Sequence, residues 1–227
     1  MQVVILAGGL GTRLRPLTYK IPKAMVPIKG KPFLEHQLKI LKNNGLNDIL
    51  ICIGYLGEEV KKYFGNGEKW GLNIEYSFER EPLDTGGAIK NAEDRLENEF
   101  LALYGDTFLD INYKDLISYS RKKAKLGTIV VFKNKPKIFK NNIEINDKKE
   151  VIAYNKTEED KANCVDAGVE IFKKNILKLI PSNKVVSLEK DIYPILIEKR
   201  ELIAYLTNHR FYDIGTFEQL KKINQIL

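Results

Sequence analysis

The sequence predicts an α/β fold, a mostly parallel sheet with helices on both faces and a small β insertion. Three observations carry that expectation. Short apolar runs rich in β-branched residues recur as far as Phe132, and amphipathic stretches separate them at spacings that suit parallel crossovers. Glycine-bearing turns follow directly on two of the runs, at the edge where such sheets bind their ligands. Between Lys135 and Ala162 the pattern gives way to a polar, hairpin-like segment.

The elements follow in order. Gln2–Ala7 (QVVILA) is a short continuous apolar run, the mark of a strand covered on both faces. Phe33–Asn43 places Leu34, Leu38 and Leu41 on one helical face, and Gly45 suits the C-terminal stop. Asp48–Ile53 is a second buried strand, Gly57–Phe64 a short helix and Asn73–Phe78 a strand. "DTGGAIKNAEDRL" predicts a helix capped by Asp84 or Thr85. Phe100–Tyr104 is a strand ending at Gly105-Asp106, Tyr113–Lys125 a helix and Thr128–Phe132 a strand. "VDAGVEIF" gives another strand. Ser187 caps a helix running to about Arg200, with a kink at Pro194. "LIAYL" is a strand, and Thr216 with Gln219 forms a capping box for the last helix.

An apolar fraction of 44% and an aromatic fraction of 10% over 227 residues suit one globular domain spanning 1–227. Cys52 and Cys164 have no metal-ligand spacing, which fits a reduced, cytoplasmic setting. No stretch is long enough to span a membrane, and the N-terminus lacks a basic-then-apolar signal pattern. The net charge of +7 is spread along a chain rich in lysine throughout. No stacking platform accompanies it, so neither nucleic acid nor membrane is expected as a partner.

Function concentrates in "LAGGLGTRLRPLTYKIPKAMVPI", Leu6 to Ile28. The dinucleotide fingerprint fails there because Leu14 stands where a glycine is needed, and no Lys-Ser or Lys-Thr pair completes a P-loop. What remains is a glycine turn whose amides approach a phosphate, followed by Thr12 and Arg13. Arg13 can grip phosphate oxygens in bidentate fashion, and Lys23 adds a compact positive charge. Glycines alone leave a tight turn with a solvated arginine as an equal alternative.

The full string resembles the G-G-x-G-T-R-L-x-P-L-T-x-x-x-P-K start of the sugar-1-phosphate nucleotidyltransferases. The resemblance continues through "KPFLEHQL", "GYLGEEV", "GLNIEY", "EPLDTGGAI", "GDTF", "DAGVEIF" and "YDIGT", and is weakest between Lys133 and Asn163. It implies the Rossmann-like nucleotide-diphospho-sugar transferase fold. It also implies a reaction: a sugar 1-phosphate attacks the α-phosphorus of a nucleoside triphosphate, and pyrophosphate leaves. Neither His36 nor His209 sits in a motif, and none is needed. The attacking phosphate is already ionised, so catalysis is positioning and charge neutralisation.

The resemblance implies roles for particular residues. Arg13 and Lys23 are the catalytic cations. Leu6, Ala7, Gly8, Gly9, Gly11, Thr12, Glu81, Thr85, Gly86 and Gly105 surround the nucleotide, the base choice resting largely on Glu81 and backbone groups. Asp106 and Asp213 are the ligands of Mg2+, which favours one or two carboxylates plus substrate phosphates. Taken alone, they read as a turn residue and a loop residue. Asp106, Lys156, Asp166, Gly168 and Glu189 form the sugar side, in a subregion of about 133–215. Asn155 precedes Lys156 where the family carries glutamate, a departure from the family pattern.

The block "FGNGEKWGLNIEYSFEREPLDTGGAI" looks most like the heptose 1-phosphate guanylyltransferases. GTP with D-glycero-D-manno-heptose 1-phosphate is therefore the expected pair. UTP with N-acetylmuramate 1-phosphate, or a cytidylyltransferase, is the alternative. A nucleotide-sugar sensor without turnover is the reading from another class. Self-association is the leaning for oligomeric state.

Overall fold

The computed structural model describes residues 1–134, 138–154 and 162–227. Its strands and α-helices are β1 (Gln2–Leu6), β2 (Pro27–Ile28), β3 (Lys31–Pro32), α1 (Phe33–Asn43), β4 (Asp48–Ile53), α2 (Gly57–Phe64), β5 (Asn73–Phe78), α3 (Asp84–Asn91), β6 (Glu99–Tyr104), β7 (Thr107–Phe108), α4 (Tyr113–Lys123), β8 (Gly127–Phe132), β9 (Ile143–Ile145), β10 (Val151–Tyr154), β11 (Val165–Lys173), α5 (Tyr193–Glu198), β12 (Leu202–Thr207), β13 (Tyr212–Asp213) and α6 (Phe217–Ile226).

The apolar runs hydrogen-bond into one seven-stranded sheet in the order β12-β8-β11-β6-β1-β4-β5. Every strand in it runs the same way except β11, which is antiparallel to both β6 and β8. Helices cover both faces, which is why the central strands are apolar throughout instead of alternating. On one face Leu38 of α1, Val60 of α2 and Leu116 of α4 pack on Val3, Ile5 and Ile51. On the other, Ile89 of α3 and Leu196 of α5 pack on Val4, Leu50 and Ala102. A smaller third cluster joins Leu14, Phe33 and Phe108 to Ile223 of α6, and pins the glycine segment to the body. The expected hairpin is β9 paired antiparallel with β10. No helix among the described residues is long and apolar enough to cross a membrane.

Local readings needed correction at the helix ends. α4 stops at Lys123, where Ala124 turns left-handed. The helix expected over "DTGGAIKNAEDRL" ends at Asn91, and Glu93–Arg95 continue as a 3-10 turn. Ser187 does cap, accepting from the Lys190 amide at 3.3 Å. A wide π turn over Leu188–Ile192 follows, and Pro194 falls in the first turn of α5, so no kink arises.

Candidate active site

The carboxyl ends of β1 and β6 open onto a cleft of about 390 Å³, a size suited to a small-molecule ligand. Its first wall is the glycine segment. Leu14 is fully buried and anchors the loop from beneath, while Thr12 and Arg13 stay exposed on its rim. Thr18 Oγ1 and the Leu14 amide both donate to the Gly11 carbonyl, at 2.8 and 2.9 Å, and close the turn. Leu6, Ala7, Gly8, Gly9, Gly11, Thr12, Arg13 and Lys23 all line the cleft.

The floor is the turn that ends β6. Gln37 of α1 donates from Nε2 to the carbonyls of Tyr104 and Thr107, clamping Gly105-Asp106 from below. Asp106 therefore points into the cleft, and its Oδ2 pairs with Lys23 Nζ. β7 then pairs with β13, setting Asp213 opposite Thr107. The Ile214 amide donates to the Asp106 carbonyl at 3.1 Å, so the two aspartates share one corner. Asp213 is oriented at both oxygens: Oδ1 accepts from the Gly215 amide at 2.8 Å, Oδ2 from Gln219 Nε2 at 2.7 Å. Burial pushes its carboxyl up, and the charge of Asp106 adds to that, against Lys23 and Arg13. Two carboxylates brought to one corner, offering hard oxygen donors, fit a divalent cation that also takes phosphate oxygens.

The opposite wall differs from the sequence reading. Glu79, not Glu81, lines the cleft; Glu81 is exposed outside it. The Glu79 amide continues the β5 ladder by donating to the Ile53 carbonyl at 2.8 Å. Its carboxylate crosses over Gly8 and accepts from the Leu83 amide at 3.2 Å. Burial raises the Glu79 carboxyl, the Leu83 amide opposes this and Asp84 adds to it. Nor do the amides at the start of α3 stand open for nucleotide: Gly86 and Gly87 both donate to the Val186 carbonyl, at 2.8 and 3.0 Å. Gly86 is buried behind the wall. Asp84 and Thr85 give no side-chain cap. Thr85 does line the cleft, with its hydroxyl donating to Glu189.

Glu189 gathers the end of the cleft expected to face the sugar. It accepts from Thr85 Oγ1 at 2.9 Å, Tyr104 OH at 2.7 Å and Ser187 Oγ at 2.6 Å. Burial would push its carboxyl up, but these hydroxyls outweigh burial and hold it below the usual range. Asp166 lies outside the cleft lining. It accepts from Tyr154 OH at 2.9 Å and from the Gly168 amide at 2.8 Å. The φ of 68° at Gly168 belongs to the bulge in β11, and a Cβ there would meet Tyr104 and Thr107. Lys156 lies outside the described residues. His209 is exposed, and His36 bonds the Ile28 carbonyl.

Behind this end lies Glu170, which sequence reasoning passed over. It is fully buried, and among the described residues its two carboxyl oxygens and the Tyr193 hydroxyl have no hydrogen-bond partner. Burial raises its carboxyl well above the usual range, and Asp166 and Glu189 raise it further. The native state therefore keeps a proton that the unfolded chain releases above about pH 4.3, so stability drains away as pH rises. Glu170→Gln keeps the shape and removes the titration. Its thermal midpoint is expected to gain on wild type as pH rises above the ordinary glutamate range. A gap independent of pH in a thermal scan would show that Glu170 retains no proton.

Comparison with known proteins identifies the family. Residues 2–227 match the family described as nucleotidyl transferase. The chain is 34% identical over 218 residues to the D-glycero-alpha-D-manno-heptose 1-phosphate guanylyltransferase of Campylobacter jejuni, covering 96% of each. It is 32% identical over 223 residues to the mannose-1-phosphate guanylyltransferase of Mycobacterium tuberculosis, covering 96% of this chain and 62% of that one. The chain spans about three fifths of the length of such mannose-1-phosphate relatives. Among solved structures, HddC from Yersinia pseudotuberculosis complexed with GMP-PN superposes with a TM-score of 0.83 at 30% identity, over 99% of this chain and 98% of that one. Agreement along the whole length, in sequence and in architecture, accompanies a glycine loop and paired aspartates on one rim: the chain belongs to the nucleotidyl transferase family.

Proposed function

We propose that the chain transfers GMP from GTP to a sugar 1-phosphate, D-glycero-D-manno-heptose 1-phosphate first among them, releasing pyrophosphate in the cytoplasm. The observation that carries the base assignment is the placement of Glu79 over Gly8. A carboxylate only accepts hydrogen bonds. Guanine presents two adjacent donors, N1–H and N2–H, on one edge. Uracil presents a single N3–H between two carbonyl oxygens, and cytosine presents an acceptor nitrogen. The guanylyltransferase relative matched along nearly its whole length favours the heptose substrate.

The chemistry then follows from charge. The triphosphate lies along the amides of Gly8–Arg13, where Arg13 neutralises the oxygens that gain charge as pyrophosphate leaves. Lys23 carries three donors, so it can bridge Asp106 and a substrate phosphate at once. Asp106 and Asp213 would hold magnesium, whose part is to offset the repulsion between two polyanions. Glu189 faces the sugar hydroxyls, and Asp166 supports the same end through Tyr154.

Pyrophosphate release, measured for GTP, UTP, CTP and dTTP against a panel of sugar 1-phosphates, tests the reading. GTP with the heptose phosphate is expected to give the highest kcat/KM, with mannose 1-phosphate slower. UTP as the best nucleotide would overturn the base assignment. Nucleotide-sugar binding without turnover on any pair would favour the sensor.

A further inference from the structure

Residue 219 was expected to complete a capping box with Thr216, and only half of that box forms. Thr216 Oγ1 accepts from the Gln219 amide at 3.3 Å, as a cap should. The Gln219 side chain does not return to the Thr216 amide. It reaches back to Asp213, where Nε2 donates to Oδ2 at 2.7 Å. The Gly215 amide holds the other oxygen, Oδ1, at 2.8 Å. Both lone-pair edges of one carboxylate are thus set by the loop and first turn that begin α6.

The surroundings show how closely this corner is built. A Cβ on Gly215 would stand 2.9 Å from Asp213 Oδ1, 3.1 Å from Arg13 Nη2 and 3.1 Å from Gln219 Oε1. Glycine leaves room there for three functional groups that converge on the same point. Gln219 Oε1 is buried and has no hydrogen-bond partner among the described residues. Leaving that acceptor unpaired is costly, and turning the amide over would be worse, since it would set oxygen against the Asp213 carboxylate. The amide orientation is therefore dictated by Asp213.

We infer that Gln219 is a positioning residue for the Asp213 carboxylate, holding its Oδ2 so that the charged group faces the corner shared with Asp106. The inference rests on the reading of Asp213 as a cation ligand. Partners that orient a ligating carboxylate typically contribute 10- to 100-fold to metal affinity. Glutamine suits the task because it donates without adding charge beside Arg13.

Manganese binding to the nucleotide-free protein, followed by electron paramagnetic resonance, tests this without turnover. The set is wild type, Gln219→Leu, Gln219→Met and Asp213→Asn. Both Gln219 variants are expected to weaken Mn2+ binding by about 10-fold or more, with thermal midpoints within roughly 3 °C of wild type. The KM for sugar 1-phosphate in the Gln219 variants is expected to stay within about 2-fold, a split that loss of a helix cap would not produce. Weakened Mn2+ binding in Asp213→Asn, with wild-type binding in both Gln219 variants, overturns the positioning role alone. Unchanged binding in Asp213→Asn overturns the ligand assignment and this inference with it.

Discussion

Replacing Arg13 by alanine is expected to lower kcat/KM about 10³-fold, roughly 4 kcal/mol of transition-state stabilisation, while the fold survives. The reason lies in how the segment is built. Leu14 carries the packing and Gly11 the turn, so the Arg13 side chain is left exposed on the cleft rim. Its Nη2 ends beside Gly215, in the corner that holds Asp213. An exposed group with no packing role contributes little to stability, so the thermal midpoint should move by no more than about 2 °C. A bidentate guanidinium aimed at a site of developing charge contributes far more to the barrier than to ground-state binding. Single-turnover measurements separate the two: kcat should fall steeply and the apparent affinity for triphosphate only modestly. Near-normal turnover would remove Arg13 from the mechanism.

Glu79→Gln is expected to change which base is used. It keeps the reach and the shape, but exchanges one acceptor oxygen for a donor. Guanine then loses a charge-assisted hydrogen bond and meets an amide hydrogen at one of its donors. That should lower kcat/KM for GTP about 10²-fold, on the order of 3 kcal/mol. Uracil, with an acceptor beside its N3–H, gains a partner, so the UTP to GTP ratio should rise by a larger factor than GTP alone loses. Competition between the two triphosphates in one reaction reads that ratio directly. An unchanged ratio would mean that Glu79 does not read the base.

These two residues mark what was and was not legible in the sequence. Asp106 closely follows β6 and Arg13 lies in the glycine loop that leaves β1, two strands whose apolar runs are unambiguous, so their place on the ligand-bearing edge follows from local pattern. Glu79 and Glu81 are two residues apart, and periodicity alone places both on the same side of an extended chain. The chain stays on the β5 ladder through the Glu79 amide and then leaves it, which strands Glu81 outside. The burial of Gly86 at the start of α3 escaped the sequence for a related reason. Its open amides are taken by the Val186 carbonyl, a partner that no local propensity announces. Glu170 was invisible because alternation within an apolar strand says nothing of the tyrosines and acids that other elements bring against it. Gln219 was noticed for the right spacing and the wrong partner.

The short pairing of β7 with β13 bears on how the candidate site is assembled. It joins a turn in the middle of the chain to a loop near its end, and the candidate cation corner exists only once they meet. Contacts of such wide sequence separation are the slowest to close. During folding β1 and the glycine loop can form early, yet the corner stays incomplete until β13 docks on β7.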